Sequence, residues 1–276
     1  MPNFKTMVAA TAVMLTGLAV QPAMAASVAT VNGVTFPIGI IPGGNSLQTG
    51  FLDETLITGV GQTLQGIGLI TAITDASNNI VWSTGQNGVE LAFHFNNYVS
   101  TSITAPTSSA PGQVTFSGGV LDFFTLSAGT AINGNGSQAA DFAVVTSGTP
   151  WLSATAALED AAGHTLLATL PANSTLTAFQ AASGFGLLDI TGGPAAAYFN
   201  TNQFANPFDT ANGGFSDQSF TSDFSTGASG DFPVSGSGTI KANASAPTPA
   251  PEPAAIGMFG VGLLGLGVVM GRRRSA

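Results

Sequence analysis

Apolar and polar positions alternate with a period of two along much of this chain. Val89, Leu91, Phe93 and Phe95 interleave with Glu90, Ala92, His94 and Asn96, which gives one greasy and one polar face, as a half-buried strand requires. Phe232, Val234, Gly236, Gly238 and Ile240 repeat the pattern. Two apolar runs, Leu64–Ile73 and Ile80–Trp82, flank Asp75-Ala76-Ser77-Asn78-Asn79, a turn composition that predicts a hairpin. Val114–Phe116 and Val120–Leu126, joined by Gly118-Gly119, predict another bend, and further breakers stand at Asn133–Gly136, Gly192-Gly193 and Asn212–Gly214. The Ala-rich stretch Trp151–Leu170 fits a helix in composition, but Gly163 and the turn-like Glu159–Gly163 favour a hairpin. Many short strands with regular breakers predict an all-β fold, a single β-sandwich or open-barrel-like domain. The 19 Phe, against 2 Trp and 2 Tyr, suit its core, because Phe fills space without a polar group to satisfy.

Both ends depart from this pattern. Lys5 precedes an apolar run, Met7 to Val20, and Ala23-Met24-Ala25 follows. A basic start, a short apolar core and a small-x-small exit predict a signal peptide, with Ala23 and Ala25 as the signal peptidase site and cleavage after Ala25. From Ala244 the chain turns to Ala, Ser, Thr and Pro, with Pro247, Pro249, Pro251 and Pro253 at alternate positions, which favours an extended spacer. Ala254 to Met270 carries no charge and predicts a transmembrane helix. Arg272, Arg273 and Arg274 then act as a topology lock, expected to stay cytoplasmic and leave the body outside the inner membrane. The expected organisation is a signal peptide at 1–25, an acidic β-rich extracytoplasmic domain at 26–243, a Pro-rich spacer at 244–253, a transmembrane helix at 254–270 and an Arg-rich tail at 271–276.

Charge sharpens this division. Only 7% of residues are charged, 5 Lys+Arg against 14 Asp+Glu, and there is no Cys. The two ends hold Lys5, the three Arg and Glu252, so the region between keeps 13 acids against Lys241 and a net charge of −12. From Ala26 to Ile240 there is no Lys or Arg. Salt bridges inside such a domain are nearly unavailable, and its carboxylates must be hydrated, hydrogen-bonded in turns or bound to cations. No nucleic-acid partner is expected, since phosphate neutralisation needs clustered Lys and Arg. Disulfides, Cys-ligated zinc and a thiol nucleophile are excluded.

Candidate chemistry is sparse. The chain has no G-x-S-x-G elbow, P-loop or H-E-x-x-H motif. His94 and His164 make a Ser-His-Asp arrangement arithmetically available, but His94 falls on the polar face of its strand and His164 beside a turn, where idle histidines also fall. No metal site and no cofactor are assigned. Calcium is the inorganic partner that would suit free carboxylates, at Asp75–Asn79 or among Asp217, Asp223 and Asp231, although Asx-turns account for the same residues. Trp82 and Trp151 are the candidate glycan contacts if they lie on strand or loop edges.

Pro251-Glu252-Pro253, the Gly-rich apolar run and the Arg cluster together resemble the PEP-CTERM sorting signal of Gram-negative bacteria. The resemblance implies recognition and processing at Pro251, Glu252 and Pro253 by exosortase, a membrane protease, after a transient stay in the inner membrane. It also implies delivery to the cell surface or the extracellular polysaccharide matrix. Thr55–Gly61, Trp82–Leu91 and Gly193–Asn202 resemble, more loosely, PEP-CTERM surface proteins linked with flocculation. The function expected is that of a non-enzymatic surface or matrix protein acting in biofilm or floc formation with exopolysaccharide. The alternatives are a carbohydrate-binding module or a secreted hydrolase.

Overall fold

The computed structural model describes residues 27–247. Its elements are β1 (Val28–Val31), β2 (Val34–Pro37), β3 (Asn45–Glu54), β4 (Thr63–Thr74), β5 (Ile80–Ser83), β6 (Val89–Thr104), β7 (Gly112–Ser127), α1 (Gln138–Thr146), β8 (Thr149–Ala156), β9 (Leu166–Leu170), β10 (Ala182–Gly192), α2 (Ala196–Phe199), β11 (Phe204–Ala205), β12 (Phe215–Ser216), β13 (Gln218–Ser229) and β14 (Phe232–Ala242).

The main sheet runs β3-β4-β6-β7-β8-β10-β13-β14, each strand antiparallel to the next. β14 then pairs back onto β3, from Val234↔Glu54 to Ala242↔Asn45. The result is a closed eight-stranded up-and-down barrel, which corrects the expected sandwich or open barrel. Closure removes both sheet edges, and an eight-strand barrel leaves an interior wide enough for side chains or one small ligand. One position is shared: β8 pairs with β7 at Val120–Thr125 and β9 with β7 at Gly112–Phe116, and both also pair with β10. β8 and β9 are thus one barrel strand interrupted by residues 157–165, and not the two arms of the expected hairpin.

The strands at Val89–Phe95 and Phe232–Ile240 and the β4–β5 hairpin stand as expected. Gly118 and Gly119 do not make a turn between strands. They lie inside β7 at φ 71° and 120°, so the strand bends there without ending. α1 is not foreshadowed by the alternation. Ser137 caps it by accepting the Ala140 amide at 3.2 Å, and its Val145 joins Ile67, Ala92, Leu126, Ile132 and Phe232 in a small cluster on the outer wall. That explains why Ala92 is buried although it falls on the predicted polar face.

The larger core fills the barrel. At the end where β3 starts, Trp151 meets Phe36, Phe123 and Phe199 at centroid distances of 6.0, 6.0 and 5.4 Å. This aromatic knot ties the β1–β2 hairpin and α2 onto the barrel. Packing continues past the expected start of the spacer: Ala244 is buried, its carbonyl accepts the Gly39 amide at 2.7 Å, and the Ser245 amide donates to Tyr198 at 2.8 Å.

On β4, Gly66 and Gly68 stand opposite Phe95 and Phe93 of β6. A Cβ at Gly66 would overlap the Asp53 carbonyl oxygen and the Phe95 ring. Gly66→Ala should therefore destabilise the barrel by about 1–3 kcal/mol through overpacking, read as a lowered urea midpoint. An unchanged midpoint would show that both the Asp53 backbone and the Phe95 ring can give way freely.

The expected membrane-crossing helix and the inner-membrane anchoring that followed from it have no counterpart among the described residues. No helix among the described residues is long and apolar enough to cross a membrane, the 9-residue α1 being the longest. Residues 254–270 themselves lie outside the described residues, as do the signal peptide with Ala23 and Ala25, Pro251–Pro253 and Arg272–Arg274.

Candidate functional site

The barrel interior encloses an apolar cavity at the end away from the aromatic knot. Leu64, Phe93, Phe95, Phe116, Leu188 and Val234 are among its walls, and Leu56, Ile57 and Phe179 stand at its rim. The empty space measures about 850 Å³ including its mouth. It arises where β10 offers Gly184 and Gly186 and β9 offers Ala168 to the interior, small residues that leave the facing aromatics a gap.

Two polar side chains sit in this apolar wall. Glu54, last residue of β3, is 7% exposed and Tyr98 of β6 is 6% exposed, and both line the cavity. The Glu54 carboxyl has no hydrogen-bond partner among the described residues. Burial, helped by the charge of adjacent Asp53, pushes its pKa up to about 8, so at neutral pH it is mostly a neutral acid. Burial also raises the Tyr98 phenol above its ordinary value, with Glu159 adding to the effect. Among the described residues, Lys241 is the one Lys or Arg, and its amine is held by Ser46 Oγ at 2.5 Å.

Glu54 and Tyr98 were not candidates at the level of sequence. The available signal was an acid two residues after Leu52, hence on the same strand face. β3 hid that register, because its pairing with β4 slips between Gln48 and Phe51 and breaks the alternation.

The sequence candidates lie elsewhere. Trp82 and Trp151 are both 0% exposed. Trp151 donates its indole N–H to the Val31 carbonyl at 3.1 Å, and both rings belong to the main core, so neither presents a face to a sugar. Glu90 and His94 share the outer face of β6 but serve different neighbours: Glu90 accepts the Gly129 amide at 2.8 Å, while His94 lies 4.9 Å from the Phe142 ring of α1. Burial there lowers the His94 pKa against the opposing pull of Asp122. His164 Nδ1 and Asp160 Oδ2 lie 2.6 Å apart in a hydrogen bond. Neither histidine borders the cavity.

The acidic groups form turns and ladders. Asp75 accepts the Ser77 and Asn79 amides at 2.8 and 2.9 Å and the Asn79 side chain at 3.0 Å, and these bonds hold its pKa below the ordinary value. Asp217 accepts the Thr201, Asn202 and Ile190 amides at 2.6–2.8 Å. Asp231 accepts the Gly136 amide at 2.9 Å, and Asp223 is exposed on β13. The structure does not bring Asp217, Asp223 and Asp231 together. Fully buried Asp53 is bonded by Asn133 and pushed up to about 6, chiefly by burial. Asp189 is also raised to about 6, by burial and by the neighbouring Asp209. Among the described residues no group of three or more His, Asp or Glu side chains is placed to hold a metal ion.

No curated protein and no solved structure matched the chain. A family model described as the PEP-CTERM protein-sorting motif matches residues 249–274, the span that holds Pro251–Pro253 and Arg272–Arg274. The chain thus carries a closed β-barrel followed by a PEP-CTERM sorting motif, the mark of an exosortase substrate, near its C-terminal end.

Proposed function

We propose that this chain is an exported, non-enzymatic protein of the cell surface or extracellular matrix, processed by an exosortase and acting with exopolysaccharide in biofilm or floc formation. The sorting motif at residues 249–274 carries this reading. The barrel agrees with it in two respects. Its acidic composition, with Lys241 as the one Lys or Arg among the described residues, suits a hydrated matrix, and closure of β14 onto β3 leaves neither end of the eight-strand path open for unwanted pairing. The two histidines are occupied in packing and in a turn, which supports a role without acid–base chemistry.

Replacing Pro251, Glu252 and Pro253 together by Ala should abolish C-terminal processing. Intact-mass measurement on fractionated cells should then find the chain at its uncleaved C-terminal length and absent from the released fraction. Release of a normally shortened form from that variant would end the sorting claim. Deletion of the gene should slow settling of cell aggregates, and unchanged settling would remove the floc role while leaving the sorting claim in place.

A further inference from the structure

We infer that the barrel interior is a binding site for one apolar molecule with a neutral hydrogen-bonding head, such as an alcohol or carbonyl group, held at Glu54. Three observations carry this. The cavity is apolar, and its empty space measures about 850 Å³ including its mouth. It is built by small residues on adjacent strands, Ala168, Gly184 and Gly186. Glu54, more than nine-tenths buried, lines it without a partner among the described residues.

The head group follows from charge. A carboxylate ligand would sit beside Glu54 in a low-dielectric wall, and between Ala26 and Ile240 no Lys or Arg exists to neutralise it. An ionised carboxylate taken out of water with no cation beside it carries a large desolvation cost. A protonated Glu54 can instead donate to an alcohol or carbonyl oxygen. This inference is independent of the sorting motif and of any matrix role.

The test is displacement of the neutral fluorophore N-phenyl-1-naphthylamine from the full chain, at neutral pH, by three competitors of equal chain length: dodecan-1-ol, dodecanoic acid and dodecylamine. Saturable binding of one fluorophore per chain is expected, with the alcohol displacing it at least about tenfold more strongly than the acid, the ratio set by about one buried hydrogen bond. Ala168→Phe should abolish binding by filling the cavity from β9. If it does not fold, Leu188→Phe fills the cavity from β10. Glu54→Gln should retain alcohol binding, and Glu54→Leu should weaken it about tenfold. Undiminished fluorophore binding in the folded Phe variants would place the probe outside the barrel and overturn the inference. So would dodecanoic acid matching the alcohol, or dodecylamine binding more tightly than it, since either would mean that the head recognised is charged.

Discussion

Raising the pH from about 5 to about 9 should destabilise the barrel by up to about 4 kcal/mol through Glu54 alone. The folded state raises this carboxyl from 4.5 to about 8, so between those values the native chain holds a proton that the unfolded chain has released. Stability therefore falls with rising pH: the contribution is fully present below the unfolded value and is lost as pH passes the folded one. Asp53 and Asp189 at about 6 and Glu159 at about 7 act with the same sign, each raised mainly by burial. His94 opposes them, because its lowered folded pKa favours the native state above the ordinary histidine range, but one partly buried imidazole does not offset four acids raised together. Asp75 and Asp160, lowered by turn hydrogen bonds, act only at more acidic pH. Urea midpoints at the two pH values test this. Glu54→Gln, neutral at every pH, should remove the largest share of the difference. A midpoint that stays level or rises toward pH 9 would show that Glu54 ionises freely in the barrel.

Trp151→Ala should cost about 3–5 kcal/mol, the usual range for deleting a fully buried aromatic. The ring makes tilted or edge contacts with Phe36, Phe123 and Phe199 and donates a hydrogen bond to Val31. Its loss would leave a void, remove one donor to the Val31 carbonyl, and loosen the β1–β2 hairpin from the barrel. Trp151→Phe keeps part of the packing and should cost less. Equilibrium urea unfolding at mildly acid pH, where the carboxylate effect above is smallest, measures both. A loss below about 1 kcal/mol would mean that the knot repacks around the gap. The same variant separates a core role from a glycan contact, since an exposed sugar-stacking Trp could be removed with little effect on stability.

Local signals accounted for many of the strands. Period-two alternation marks β6 and β14, and the Asp75–Asn79 composition marks the β4–β5 turn, because side-chain direction and Asx hydrogen bonding are decided within a few residues. Where those signals failed, a longer-range partner had intervened. Ala92 and His94 read as solvent-facing until α1 covers them, and Gly118-Gly119 reads as a bend between two strands until pairing with β6 on either side of it makes both halves one strand. The two Trp illustrate the same limit. Their proximity to turn residues says nothing about whether Val31, Phe36 or Phe199 will close over them.

The amino-acid sequence by itself determined the all-β character, the segregation of nearly all positive charge to the chain ends and the presence of the sorting motif, since each rests on short-range pattern or composition. Whether the sheet is open or closed was a tertiary decision. It depends on β14 meeting β3, with Lys241 beside Ser46 across 195 residues of chain, and both outcomes share the same alternating pattern. The cavity was likewise decided only in three dimensions. Glu54 is an ordinary acid at a strand end until closure carries it into an apolar interior, where desolvation with no cation at hand keeps its proton in place.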